Sequence, residues 1–274
     1  MKRLLALLIT VFISTSFVLA STDKYSKEYL QGKKHFSLSR CLAESIARRG
    51  IKSALKKETG AKFDVKFEGY TASSIKKGVF KNIELTGENI NSDGIIIPYV
   101  HLKSLTDYNY IDYNQNPMKF KSDMTFAYDV LLTDETINQA LEKSDYNKTL
   151  SKVNRIAGSL FVIKKVRTKI VNNKLYIVID YNFPIVKSSK DKSLVTSSDF
   201  KVVNGKIKAK NVHLDSVYGN LGLDKVANLI NLLNPLEFTL DMLDENKYKG
   251  NIENVNIVDN NIKVDGKIYL KGEG

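Results

Sequence analysis

Cysteine occurs once in these 274 residues, at Cys41, so no internal disulfide can form and stability has to come from a packed core. Histidine occurs only three times, at His35, His101 and His213, too scattered to nominate a base or a metal site. No GxSxG elbow, phosphate-cradling glycine loop, HExxH or paired-cysteine spacing is present. Carboxylates are plentiful but nowhere grouped as an acid and base pair. These absences make the expected function non-catalytic, with no cofactor and no metal. Beyond the N-terminus, no run is long and apolar enough to cross a bilayer.

What is present begins with MKRLLALLITVFISTSFVLA, in which Lys2 and Arg3 precede an apolar run from Leu4 to about Leu19 and Val18-Leu19-Ala20 precedes Ser21. This is the pattern of a secretory signal peptide over residues 1–20. Thr10, Ser14, Thr15 and Ser16 interrupt the run, which falls short of the roughly 20 residues of a spanning helix. The expectation is a periplasmic or secreted chain, with a poorly defined segment over 21–38 and one α+β domain over 39–274. The formal charge is +12, from 42 Lys and Arg against 30 Asp and Glu. Such a surface suits a polyanion or is simply a solvated lysine-rich face. Export disfavours nucleic acid and favours anionic lipid headgroups or envelope polymers.

Periodicity then divides the chain. SRCLAESIARRGIKSALKKET, from Ser39 to about Thr59, places Leu42, Ala43, Ile46, Ala47, Ile51, Ala54 and Leu55 on one broad stripe of a helix that stops at Gly60. AKFDVKFEGY alternates with Phe63, Val65 and Phe67 on one side, and GVFKNIELTGENI puts Ile83 and Leu85 on one face. Thr133 is a helix N-cap before Asp134 and Glu135. Asn172-Asn173, Asn204-Gly205 and Asp259-Asn260 read as two-residue hairpin turns. They set Ile170 against Leu175, Val166 against Ile179 and Val162 against Phe183, then Val202 against Ile207, then Ile257 against Ile262. Parity changes after Lys210, which requires a bulge or bend there. A helix from about Gly222 to Leu233, apolar nearly all round, ends at Asn234-Pro235. Asn, Ile or Val, any residue, Ile or Leu recurs at Asn82, Asn211 and Asn254. In IKKVRTKI, Lys165, Arg167 and Lys169 form a basic stripe, either an ordinary outer sheet face or a dock for anionic headgroups.

In their order, ESIARRGIKSALKKETG, GVFKNIELTG, LLTDETINQALEK and the closing VNIVDNNIKVDGKIYL resemble the LmeA-like family of phospholipid-binding envelope proteins, which are similar to tubular lipid-binding folds of the TULIP type. The resemblance runs from about Ser39 to Leu270. It implies a long curved antiparallel sheet of hairpins wrapped around two or three helices, with an apolar groove for acyl chains. The implied groove lining is Ile46, Ile51 and Leu55, Val65 and Phe67, Ile83 and Leu85, and Leu223, Val226, Ile230 and Leu233. The implied function is extracytoplasmic binding or transfer of phospholipid or another acyl-chain amphiphile; the basic charge adds peripheral contact with anionic membrane as a candidate interaction. The alternative is a solid-cored structural module that docks an anionic envelope partner through its lysine-rich face.

Overall fold

The computed structural model describes residues 26–27, 30, 37–112, 119–157, 162–183, 192–214, 223–242 and 249–272. The expected signal peptide lies outside the described residues. The helix α1 (Leu38–Thr59) stops at Gly60, whose φ of 69° is the left-handed region that glycine enters without strain. The chain continues through β1 (Lys62–Glu68), a short α2 (Ala72–Lys76), β2 (Val79–Phe80), β3 (Asn82–Ser92), β4 (Ile95–Ser104), β5 (Asn109–Asp112), β6 (Lys119–Phe120) and β7 (Met124–Leu132). Then come α3 (Asp134–Leu141), α4 (Ser144–Ala157), β8 (Val162–Val171), β9 (Lys174–Asn182), β10 (Lys192–Val203) and β11 (Lys206–Leu214). The last elements are α5 (Leu223–Leu233), α6 (Pro235–Met242), β12 (Lys249–Val258) and β13 (Asn261–Leu270).

The architecture is α+β and its strand pairings are antiparallel. In place of one long sheet, the strands form a six-stranded sheet (β1-β3-β4-β7-β13-β12), a four-stranded sheet (β11-β10-β9-β8) and a small sheet of β2, β5 and β6. The Tyr- and Asn-rich stretch before Met118 supplies β5 to that small sheet. The helices α2, α4 and α6 add to those that periodicity predicts.

The hairpin turns form where expected, each with two positive-φ residues: Asn172 and Asn173, Asn204 and Gly205, Asp259 and Asn260. Ile170 faces Leu175 and Val166 faces Ile179, but Val162 faces Asn182 rather than Phe183. The cause is an extra residue, Lys164, between the pairs Ile163–Tyr181 and Lys165–Asp180. The irregularity expected after Lys210 is a bulge. Asn211, at φ 50°, and Val212 together oppose Ser198 between two regular pairs. Two of the turns clasp each other: the Asn173 amide N–H donates to Asn260 Oδ1 at 3.0 Å, and the Asn260 N–H donates to Asn173 Oδ1 at 2.9 Å. This joins the β8–β9 hairpin of one sheet to the β12–β13 hairpin of the other.

The thrice-written phrase has a shared structural use. Ile83, Leu85 and Val255 are buried, and Val212, Leu214 and Ile257 are partly buried against the same core. On the opposite face each asparagine donates from Nδ2 to a carboxylate of the neighbouring strand. Asn82 reaches Glu68 at 2.9 Å, Asn211 reaches Asp199 at 2.9 Å and Asn254 reaches Asp265 at 2.8 Å.

The outer face of the six-stranded sheet carries a row of ionisable side chains across five adjacent strands. Lys66 pairs with Glu84 at 3.0 Å, Glu84 with His101 at 3.3 Å, His101 with Asp129 at 3.4 Å and Asp129 with Lys263 at 3.1 Å. The Lys66 hydrogen bond, helped by His101, holds the Glu84 carboxyl below its ordinary 4.5, against the opposing pull of desolvation. A carboxyl that ionises more easily when folded stabilises the protein fully above its unfolded value and loses that contribution as the pH falls through the folded one. Glu84→Gln should therefore cost up to about 1 kcal/mol at neutral pH, as exposed pairs do, and almost nothing near pH 3. Urea midpoints of both forms at the two pH values check this.

Candidate functional site

The described site is an open cleft of about 410 Å³ between α3, α4 and β8, lined by Asn138, Leu141, Glu142, Asn147, Leu150 and the strand residues Lys164 to Arg167. Its geometry starts with α3. Thr133 caps this helix by accepting from the Thr136 N–H at 3.1 Å, while Thr136 Oγ1 accepts in return from the Thr133 N–H at 3.3 Å. Asp134 and Glu135 complement the positive end of the helix. Ile137, Ala140 and Leu141 are buried.

The polar side of α3 is also occupied. The Thr136 hydroxyl donates to the Ile96 carbonyl and the Ile96 N–H donates to Gln139 Oε1, both at 2.7 Å, so α3 binds the backbone of β4. Asn138 Nδ2 donates to the Thr168 carbonyl at 2.9 Å, and the Thr168 N–H donates to Asn138 Oδ1 at 2.8 Å. A side-chain amide thus takes the place of a neighbouring strand at the edge of the four-stranded sheet. Asn154 of α4 repeats the arrangement on the same edge. Its Nδ2 donates to the Ile163 carbonyl at 2.9 Å, and its Oδ1 accepts from the Ile163 N–H at 2.8 Å.

These two amides bracket the cleft. N–H and C=O groups of alternate strand residues point to the same edge, so Val166, two residues before Thr168, turns its backbone groups outward between the brackets. The bulge at Lys164 breaks the alternation and gathers Lys164 and Lys165 as consecutive exposed cations. Arg167 is held by Asp180 at 2.9 and 3.2 Å, and the Ser193 hydroxyl also donates to that carboxylate at 2.7 Å. Lys164 and Lys165 meet no carboxylate within salt-bridge distance among the described residues. Glu142 is the acidic group of the lining, and Leu141, Leu150 and Val166 form a buried apolar floor. The arrangement combines two unpaired cations, polar amides and a short apolar surface. It suits an anion that carries an apolar continuation.

Of the expected headgroup stripe, Lys165 and Arg167 line this cleft, whereas Lys169 turns to Asp134 at 2.9 Å. The hydrogen bond that Lys169 donates to Asp134 raises the Lys169 pKa. The expected groove lining is dispersed differently. Ile51, Leu55, Val65, Phe67, Ile83, Leu85, Ile230 and Leu233 lie in one packed core cluster, where side chains meet side chains. Ile46 faces solvent, because the broad stripe read on α1 is split between two sides of the helix. The side chains of Leu223 and Val226 lie outside the described residues.

The sequence reading passes over α4, although Tyr146, Leu150 and Val153 have helical spacing. It also passes over Asn138, Asn154 and Lys164. An edge-capping asparagine has no local signature, since its partner is a backbone 9 or 30 residues away. Tyr146 fixes the far side of α4: its hydroxyl donates to the Leu233 carbonyl at 3.0 Å and its ring meets Phe238 edge-on at 4.8 Å. Burial pushes that phenol well above its usual range. Among the described residues no cluster of His, Cys, Asp and Glu is arranged to hold a metal, and no helix is long and apolar enough to cross a membrane. No protein-family model, curated protein or solved structure matches the chain.

Replacing Asn138 by leucine would leave the Thr168 N–H and C=O without partners. The expected cost is about 2 kcal/mol, against less than about 0.5 kcal/mol for Asn147→Ala on the exposed rim of the same cleft. Chemical denaturation of the two variants measures the difference.

Proposed function

We propose that this chain is exported and binds phospholipid or another acyl-chain amphiphile in the cell envelope, without catalysis, and that the cleft between α3, α4 and β8 receives the anionic headgroup. The observation that carries the reading is the placement of Lys164 and Lys165, unpaired, at the rim of a cleft whose floor is Leu141, Leu150 and Val166. An amphiphile presents the complementary pair of features, a phosphate followed by methylenes. Ammonium groups and an outward backbone N–H supply charge-assisted donors to phosphate oxygens, and each methylene buried against the floor adds about 0.8 kcal/mol. A cleft of about 410 Å³ is small among ligand sites, so it takes the headgroup end and leaves the chains to extend beyond it. The leader pattern at residues 1–20, the basic charge and the likeness to LmeA-like, TULIP-type proteins support the same reading.

A second reading has an observation of its own. Eight of the residues expected to line a groove are packed in the core, which favours a solid-cored module that docks an anionic envelope partner through its lysines. The two readings diverge under native mass spectrometry of the protein purified from its envelope. Lipid binding predicts a co-purifying phospholipid, or uptake of a fluorescent acyl probe, weakened about tenfold or more by Lys164→Gln with Lys165→Gln. Preparations that stay free of lipid, refuse the probe and bind anionic polymer in a salt-sensitive way would replace the first reading with the second.

A further inference from the structure

The helix α1 is apolar on two sides. Ile51 and Leu55 are buried in the core, with Ala47 and Ala54 packed partly against it. Leu38, Leu42 and Ile46, spaced four apart, are instead 75%, 65% and 62% exposed. At 3.6 residues per turn the two sets point about 160° apart. A contiguous exposed stripe of large aliphatic side chains is unfavourable in water and marks a surface that something covers.

The charges of the same helix show what kind of surface covers it. Arg40 is paired with Glu44 at 3.5 Å and Lys52 with Asp64 at 3.0 Å. Arg49, Lys56 and Lys57 continue the line of the exposed stripe and have no acidic partner within salt-bridge distance among the described residues. The outer face of α1 is thus apolar through its first turns and cationic through its last ones. Nothing acidic interrupts that line, so an acidic surface with accessible hydrocarbon is its complement. We propose that this face docks on an anionic lipid bilayer, with Leu38, Leu42 and Ile46 entering the headgroup–acyl boundary and Arg49, Lys56 and Lys57 lying against lipid phosphates. The inference concerns where the protein sits and does not rest on the cleft as a lipid site.

Sedimentation of the exported protein with vesicles tests it. Vesicles of equimolar phosphatidylcholine and phosphatidylglycerol should capture the protein, and salt should release most of it. Leu42→Asp with Ile46→Asp should lower capture tenfold or more while leaving the circular dichroism and acyl-probe uptake unchanged. Arg49→Gln with Lys56→Gln and Lys57→Gln should lower capture tenfold or more on the mixed vesicles and leave the weak binding to pure phosphatidylcholine unaltered. Capture that survives both sets of substitutions overturns the proposal. So does a solution dimer that Leu42→Asp with Ile46→Asp dissociates, which would assign the face to a second copy of the chain. Failure of the unsubstituted protein to take up the probe, with its vesicle capture intact and lost in both sets of variants, would count against the cleft and leave this inference standing.

Discussion

The backbone of β8 ends a sheet, and an unpaired sheet edge is both costly to bury and open to unwanted pairing. The protein answers with side chains. Asn138 and Asn154 satisfy the backbone groups of Thr168 and Ile163, while Thr136 and Gln139 satisfy those of Ile96 on β4. One short helix, α3, therefore holds the edge strand β8 of the four-stranded sheet and the end of β4 that extends beyond its pairing with β7 in the six-stranded sheet. The Asn173–Asn260 clasp joins the same two sheets at their turns. The packed interior between the sheets depends on these directional contacts, because apolar packing alone does not specify which edge meets which helix.

The cleft follows from this arrangement. Two amides at Thr168 and Ile163 hold α3 and α4 against the strand, and the interval between them stays open. The bulge at Lys164 then places two consecutive lysines at the opening instead of one. A regular strand would have turned Lys164 towards the core, where an unpaired ammonium is too costly to bury. The same irregularity that displaces Val162 onto Asn182 thus makes the cationic rim. The solvent face of the six-stranded sheet, by contrast, links Lys66, Glu84, His101, Asp129 and Lys263 in a row of cross-strand contacts.

Elements set by local chemistry were legible in the sequence: the Thr133 cap, the Gly60 stop, three hairpin turns and the parity break after Lys210. Each depends on residues within a few positions of one another. The division of α1 into two apolar sides was not legible, because a helix carrying Ile46, Ile51 and Leu55 has a wide apolar arc and only tertiary contact decides which part is covered. The division of the strands into two sheets depends on pairings between distant residues, such as β7 with β13, that periodicity does not encode. In the candidate site, Lys165 and Arg167 could be found from their alternation. Lys164 could not, since its outward position comes from a bulge with no turn residue to announce it.

The proposed headgroup site lies between the two edge amides, against the outward backbone of Val166. Amide chemical-shift mapping during titration with a short-chain phosphatidylglycerol tests this most directly. A headgroup bound there gives saturable shifts centred on Val166 and its neighbours Lys164, Lys165 and Arg167, with smaller ones at Asn138 and Asn147. Shifts spread over the lysine-rich surface, or none at Val166 while other sites saturate, would contradict it.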